Sequence, residues 1–235
     1  MAKRKEEQTP RDLIIQSLRE KGQVINKVNR ITSDVFLELK KLLRKTQSEL
    51  AFELAKNEIK VDIQYSDKGQ FEAEMRLNDE LVIFAQHTNV FTFDSDHFIW
   101  RLPYVQEDPL RAQCGMIQVY NFLSDSFKYN RAHDVGYLVA RMFVNKDKHF
   151  FVEGKRQLGF LYNDFENLVL DNSHIQEVIE SGILYTLNFD LFAPPYEMVK
   201  ELTLQMKMEQ QGLIQTQTGK RLGFRFSADN DEIVS

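Results

Sequence analysis

The apolar positions in the first quarter of this chain follow a helical period, and those that come next follow a strand period. Residues 34–56 carry leucine and phenylalanine at steps of three, four and seven positions, the spacing of an amphipathic helix. Residues 11–21 carry a shorter stripe of the same kind, and Gly22 predicts where it ends. The pattern therefore predicts two N-terminal helices, the second packed within its own chain.

Alternation with a period of two begins just after residue 60. Short alternating runs, separated by turns rich in Asp, Asn and Gly, predict strands at residues 61–65, 71–77, 81–85, 90–93 and 98–102. Such runs are typical of an antiparallel meander with one face in water. Two further runs, residues 137–144 and 149–152, flank a polar turn and predict another hairpin.

Three later segments predict helices at residues 110–130, 172–181 and 196–210, and a last hairpin is predicted at residues 213–226. The expected fold is therefore α+β: an antiparallel β-meander with N-terminal and C-terminal helices packed on it, plus a second β-hairpin region. We expect one domain over residues 10–228, with a possible seam near residues 103–109. The tails, residues 1–9 and 229–235, are expected to be flexible.

Charge divides the chain into a basic head and an acidic body. Residues 1–60 contain 14 Lys and Arg against 9 Asp and Glu, whereas the whole chain has a net charge of -5. Solvated helix faces explain such a head, but it could also bind nucleic acid, an acidic partner or the body of a neighbouring subunit. The single cysteine and the absence of a secretory or membrane-spanning apolar run predict a cytoplasmic protein without membrane contact.

Asp134, Glu153 and Lys155 form the most suggestive chemical constellation. Asp134 precedes the first strand of the later hairpin, and Glu153 and Lys155 close its second strand. This arrangement resembles the metal-dependent nucleases of the PD-(D/E)XK type, although His133 rather than proline precedes Asp134. The resemblance implies that the two carboxylates hold Mg²⁺ beside the scissile phosphate while Lys155 stabilises the developing charge. Gly154 favours the alternative, an ordinary hairpin turn.

A Gly-Lys-Arg sequence occurs twice, at residues 154–156 and 219–221. If the two copies meet in space, Lys155, Arg156, Lys220 and Arg221 would form a basic patch able to hold a phosphate. Chance recurrence of hairpin chemistry is the alternative explanation.

No other catalytic motif is present, and neither a protein metal site nor a cofactor is predicted. The leading hypothesis is therefore a non-enzymatic cytoplasmic binding protein of unknown ligand, oligomeric or bound to a protein partner. A homodimer through the helix at residues 34–56 is its corollary. The alternatives are the Mg²⁺-dependent nuclease and a nucleic-acid-binding module without catalysis.

Overall fold

A computed structural model of the chain describes residues 9–132, 134–155, 157–189, 193, 195–201, 203, 204 and 207. The described helices longer than one turn are α1 (Pro10–Lys56), α2 (Pro103–Glu107), α3 (Ser124–Lys128), α4 (Gln157–Leu161) and α5 (Asn172–Leu187), followed by the single turn α6 (Tyr196–Val199). The strands are β1 (Ile63–Asp67), β2 (Glu72–Leu77), β3 (Glu80–Gln86), β4 (Cys114–Leu123), β5 (Tyr137–Asn145) and β6 (Phe150–Gly154). The predicted hairpin at residues 213–226 and both predicted terminal tails lie outside the described residues, apart from Thr9.

The N-terminal third forms one helix of 47 residues, α1, where the sequence pattern predicted two. Its start is well defined, because Thr9 and Asp12 form a capping box and Pro10 occupies the first helical position. The predicted stop at Gly22 is wrong. Gly22 does not adopt the left-handed conformation of a C-cap glycine, and α1 runs through it because the cost of a helical glycine is only about 1 kcal/mol.

The six strands form a single antiparallel sheet in the order β1-β2-β3-β4-β5-β6, which confirms the meander. The later hairpin, β5 and β6, is continuous with that meander and turns at Asn145 and Lys148, as the sequence predicted. The register between β4 and β5 shifts at Val119 and Tyr120. Such a bulge bends the strand locally and changes which side chains lie opposite each other.

Three predicted elements are wrong. Residues 110–130 are not one helix, because Cys114–Leu123 form β4 and only Ser124–Lys128 are helical, as α3. Ile117, Tyr120, Leu123 and Phe127 lie three or four positions apart, a spacing that also fits a helix. Of the predicted strand at residues 90–93, only Phe91 makes a bridge, to Cys114. The third wrong element is the predicted strand at residues 98–102, which begins instead with a short 3₁₀ helix.

One face of the sheet carries the main core, which α1 and α5 cover. Phe36, Leu39 and Leu43 of α1 are fully buried there, which confirms the prediction that residues 34–56 pack within the chain. Helix α5 continues past residue 181, where the predicted helix ends, to Leu187. No described helix combines the length and the apolar composition that crossing a membrane requires.

The opposite face carries a smaller, aromatic core at the β4–β6 end of the sheet. Phe143 and Phe151 stack there with ring centroids 5.0 Å apart, and the segment from Phe91 to Ala112 packs over them. This segment includes α2 and the Pro-bounded loop that the sequence marked as a possible seam. Much of the high phenylalanine content therefore serves packing.

Candidate functional site

The first 18 residues of α1, residues 10–27, form a helical arm beyond the folded body. Within the described residues, none of these 18 is buried, and Val28 is the first buried position of the helix. At a rise of 1.5 Å per residue the arm is about 27 Å long. It is the least covered regular element near the N-terminus, and we treat it as the candidate functional site.

The arm displays an aliphatic stripe that continues the buried face of α1. Ile14, Leu18 and Ile25 lie at steps of four and seven residues. Val28 and Val35 follow at steps of three and seven and continue the stripe into the core. The exposed fractions of Ile14, Leu18 and Ile25 are 59%, 68% and 38%, whereas that of Val28 is 0%. The side chains that would pack on a sheet are thus presented to solvent along the arm.

The arm is also basic. Four basic side chains stand among two acidic ones, namely Arg11, Asp12, Arg19, Glu20, Lys21 and Lys27. At its base, Lys27 Nζ lies 3.4 Å from Asp147 Oδ1 in the turn between β5 and β6. This ion pair connects the arm to the body where α1 leaves the core.

The turn that holds Lys27 is fixed by a network of polar and aromatic contacts. Asn145, which is fully buried, accepts hydrogen bonds from the backbone N–H groups of Asp147 and His149. It also donates to the hydroxyl of Tyr104, 3.1 Å away, and that ring stacks on His149. Burial raises the pKa of Tyr104, so the hydroxyl stays neutral. The network therefore supports the base of the arm on a rigid turn.

The three predicted nuclease residues make separate contacts. Asp134 accepts a hydrogen bond at 2.7 Å from the Oγ of Ser126, which lies in the middle of α3. Glu153 accepts one from Arg141 Nε at 2.7 Å, on the neighbouring strand. Lys155 is exposed, and its backbone N–H donates to Val139. Among the described residues, neither a hydrogen bond nor an ion pair joins Asp134 to Glu153.

A metal centre is not formed by the part of the chain that the structure describes. No group of three or more His, Cys, Asp or Glu side chains there could hold a metal ion. Glu153 has a histidine beside it, because His97 Nε2 lies 3.6 Å from its carboxylate. Spacing in the sequence gave no sign of this contact, since the segment that carries His97 was expected to be a turn between strands.

Of the predicted phosphate-binding patch, only Lys155 is described. Arg156, Lys220 and Arg221 lie outside the described residues, so the patch stays a prediction. Cys114 is fully buried, and burial raises the pKa of its thiol, as for a buried cysteine that serves packing.

An open groove of about 780 Å³ lies between the middle of α1 and the start of α5. Asp34, Glu38 and Asp171 face it together with Lys41 and Lys148. The charges are mixed, and they do not converge on one point in any described contact.

The sequence pattern predicts part of the arm, namely the apolar stripe at residues 11–21. It also predicts a stop at Gly22, through which α1 continues. The signal that could have found the arm is the seven-residue spacing of Leu18, Ile25, Thr32 and Leu39, which runs through Gly22 without interruption.

Comparison with protein-family models, with curated proteins and with solved structures found no match to this chain.

Proposed function

We propose that this protein is a cytoplasmic, non-enzymatic binding protein that acts through protein–protein contact made by the helical arm. The observation that carries the proposal is the solvent-exposed stripe of Ile14, Leu18 and Ile25 on a helix whose middle, from Val28 to Thr46, is used for packing. Scattered apolar side chains on a surface are ordinary, but a stripe in helical register is the pattern used by helices that dock on a partner.

The physical stability of the arm supports this proposal. No residue of the arm is buried, so tertiary packing adds little stability to this part of α1, and Gly22 weakens it further. Each aliphatic side chain of the stripe would contribute about 1.5–3 kcal/mol if a partner buried it. A docked arm is therefore much more stable than an isolated one.

The two other hypotheses have less support. The nuclease hypothesis needs Asp134 and Glu153 at one metal ion, and their described partners, Ser126 and Arg141, differ. It stays a prediction, as does nucleic-acid binding by the Gly-Lys-Arg patch. The exposed stripe of the arm is apolar, and this favours a protein partner over a nucleic acid.

Photo-cross-linking tests the proposal in living cells. A benzophenone-bearing amino acid replaces Leu18 on the stripe, and in a matched control it replaces Gln23 on the opposite side of the same helix. We expect a discrete covalent adduct with another polypeptide from position 18 and little or none from position 23. Equal labelling from both positions, or no adduct from position 18, would contradict the proposal.

A further inference from the structure

We propose that a groove beside α3 binds a nucleotide, a ligand that joins a phosphate to a flat base. This α3 groove has a volume of about 410 Å³ and lies between α3 and strands β1, β2 and β3. Pockets for small ligands measure about 300–1,000 Å³, so the α3 groove has room for one nucleotide. The site does not involve the helical arm, and the inference therefore goes beyond the proposed function.

The strand register places the α3 groove on the face of the sheet opposite α1. Arg76 of β2 pairs with Gln64 of β1 and with Leu81 of β3, and all three side chains line the groove. Their strand neighbours Met75 and Val82 are fully buried in the main core, beneath α1 and α5. Because successive side chains of a strand point to opposite faces, the groove and the main core lie on different sides of the sheet.

The lining of the α3 groove is positively charged. Its cations are Lys68, Arg76 and Lys128, and its one carboxylate is Glu74. Lys68 Nζ lies 2.9 Å from Glu74 Oε2, so these two charges neutralise each other. The charges of Arg76 and Lys128 remain, and they give the groove a surplus that favours an anion.

Arg76 and Lys128 are near enough to act on one phosphate. The pKa of Lys128 is raised by its side-chain hydrogen bond with Tyr129, and the neighbouring charge of Arg76 opposes that rise. Arg76 Nη2 lies 2.9 Å from Asp62 Oδ2, but a guanidinium has five N–H donors and can hold a phosphate as well. Neither Asp62 nor Asp125, the acidic neighbour of Lys128 on α3, lines the groove. A phosphate between the two cations would replace their mutual repulsion with attraction to both.

Phe127 supplies a surface on which a base can stack. Its side chain lines the α3 groove and is 54% exposed. The ring of Phe122 meets it in a T-shaped contact, with ring centroids 5.3 Å apart. This contact holds Phe127 in place while much of its ring stays open to a ligand. Every nucleobase has a flat π face, so an exposed ring next to positive charge suits a nucleotide better than an inorganic anion.

The residues that follow Phe127 extend this combination of rings and cations. The ring centroid of Tyr129 lies 4.9 Å from Lys128 Nζ and 5.3 Å from Arg131 Cζ. These contacts gather positive charge beside the α3 groove. Aromatic rings interleaved with basic side chains are typical of surfaces that bind nucleotides along a single strand. The shared chemistry is a base with its phosphate, whether the nucleotide is free or part of a strand.

An NMR titration of the full chain with adenosine monophosphate tests the proposal. We expect the backbone amides around Arg76 and Lys128 to shift, with a Kd of about 0.1–1 mM. Lys128→Gln should raise this Kd about tenfold, because a charged donor to the phosphate is lost. Lys45→Gln is the matched control on α1, and it should leave the Kd unchanged. A spectrum that does not change at about 10 mM adenosine monophosphate, or equal binding by Lys128→Gln, would overturn the proposal.

Phe127→Ala separates recognition of the base from recognition of the phosphate. It should raise the Kd for adenosine monophosphate about tenfold and leave the Kd for inorganic phosphate unchanged. If the variant loses both ligands equally, the ring does not bind the base and the nucleotide is the wrong ligand.

A thymidine oligonucleotide of about ten residues distinguishes the two sources of the ligand. Binding tighter than that of adenosine monophosphate, with shifts at the same amides, would assign the α3 groove to a single strand. Equal or weaker binding would assign it to a free nucleotide.

Discussion

At the scale of single residues, the contact between Gly115 and Thr32 decides how closely α1 approaches the sheet. Thr32 is buried, and its hydroxyl donates to the carbonyl of Val28 at 2.8 Å. A Cβ placed on Gly115 of β4 would lie 1.9 Å from Thr32 Oγ1, which is far inside van der Waals contact. Glycine at this position is therefore what lets the helix lie directly on β4.

Gly115→Ala should lower the free energy of unfolding by about 1–3 kcal/mol, because the added methyl group forces α1 away from β4. Urea unfolding followed by circular dichroism measures the change. Gly22→Ala is the matched control, since a Cβ there meets nothing within 4 Å. It should raise stability by up to about 1 kcal/mol or leave it unchanged. A Gly115→Ala protein as stable as the wild type would contradict this packing.

Residue-level contacts were the part that spacing alone could not predict. The sequence placed Asp134, Glu153 and Lys155 around one hairpin correctly, but their partners come from elsewhere. Arg141 faces Glu153 only because of the β5–β6 register, and His97 arrives from a separate segment. Such partners depend on tertiary packing, which no local pattern encodes.

At the scale of elements, local patterning worked where turn residues bound a strand and failed where the apolar spacing fits two periods. Strands β1, β2 and β3 are separated by turns rich in Asp, Asn and Gly, and the sequence predicted them nearly at their observed bounds. In and after β4, Ile117, Tyr120, Leu123 and Phe127 lie three or four positions apart, a spacing that also fits a helix. The aromatic segment from Phe91 to Arg101 has the composition of strands, but it packs over the sheet instead of joining it.

A contact between α1 and the β1–β2 turn gives a pH-dependent prediction. The ammonium of Lys40, almost buried, donates to Asp67 Oδ1 at 2.7 Å, and this hydrogen bond holds the pKa of Asp67 below its ordinary value. A lowered folded-state pKa stabilises the fold above the unfolded-state pKa of about 4. This contribution is lost as the pH falls through the folded-state pKa.

Lys40→Met should therefore destabilise the protein more at pH 7 than at about pH 3. Unfolding curves at both pH values measure the difference, and an NMR titration should find the pKa of Asp67 raised toward its ordinary value. Lys45→Met is the control, because Lys45 lies 3.6 Å from Glu49 and both side chains are exposed to solvent. If Lys40→Met costs the same at both pH values, the ion pair does not carry this contribution.

At the scale of the whole molecule, a mismatch of lengths creates the arm. Helix α1 has 47 residues and is about 70 Å long, whereas β4, a strand of ten residues, spans about 33 Å. A helix of that length must extend past the sheet. The sequence predicted the α+β meander, but it could not predict the arm, because the overhang depends on strand lengths and on where α1 crosses them.

Amide hydrogen exchange along α1 tests most directly whether residues 10–27 form an uncovered arm while the middle of the helix is packed. We predict that the amides of residues 14–25 exchange much faster than those of residues 35–46, because only the latter are held by contacts with the sheet. Arm amides protected as strongly as those of residues 35–46 would contradict the account.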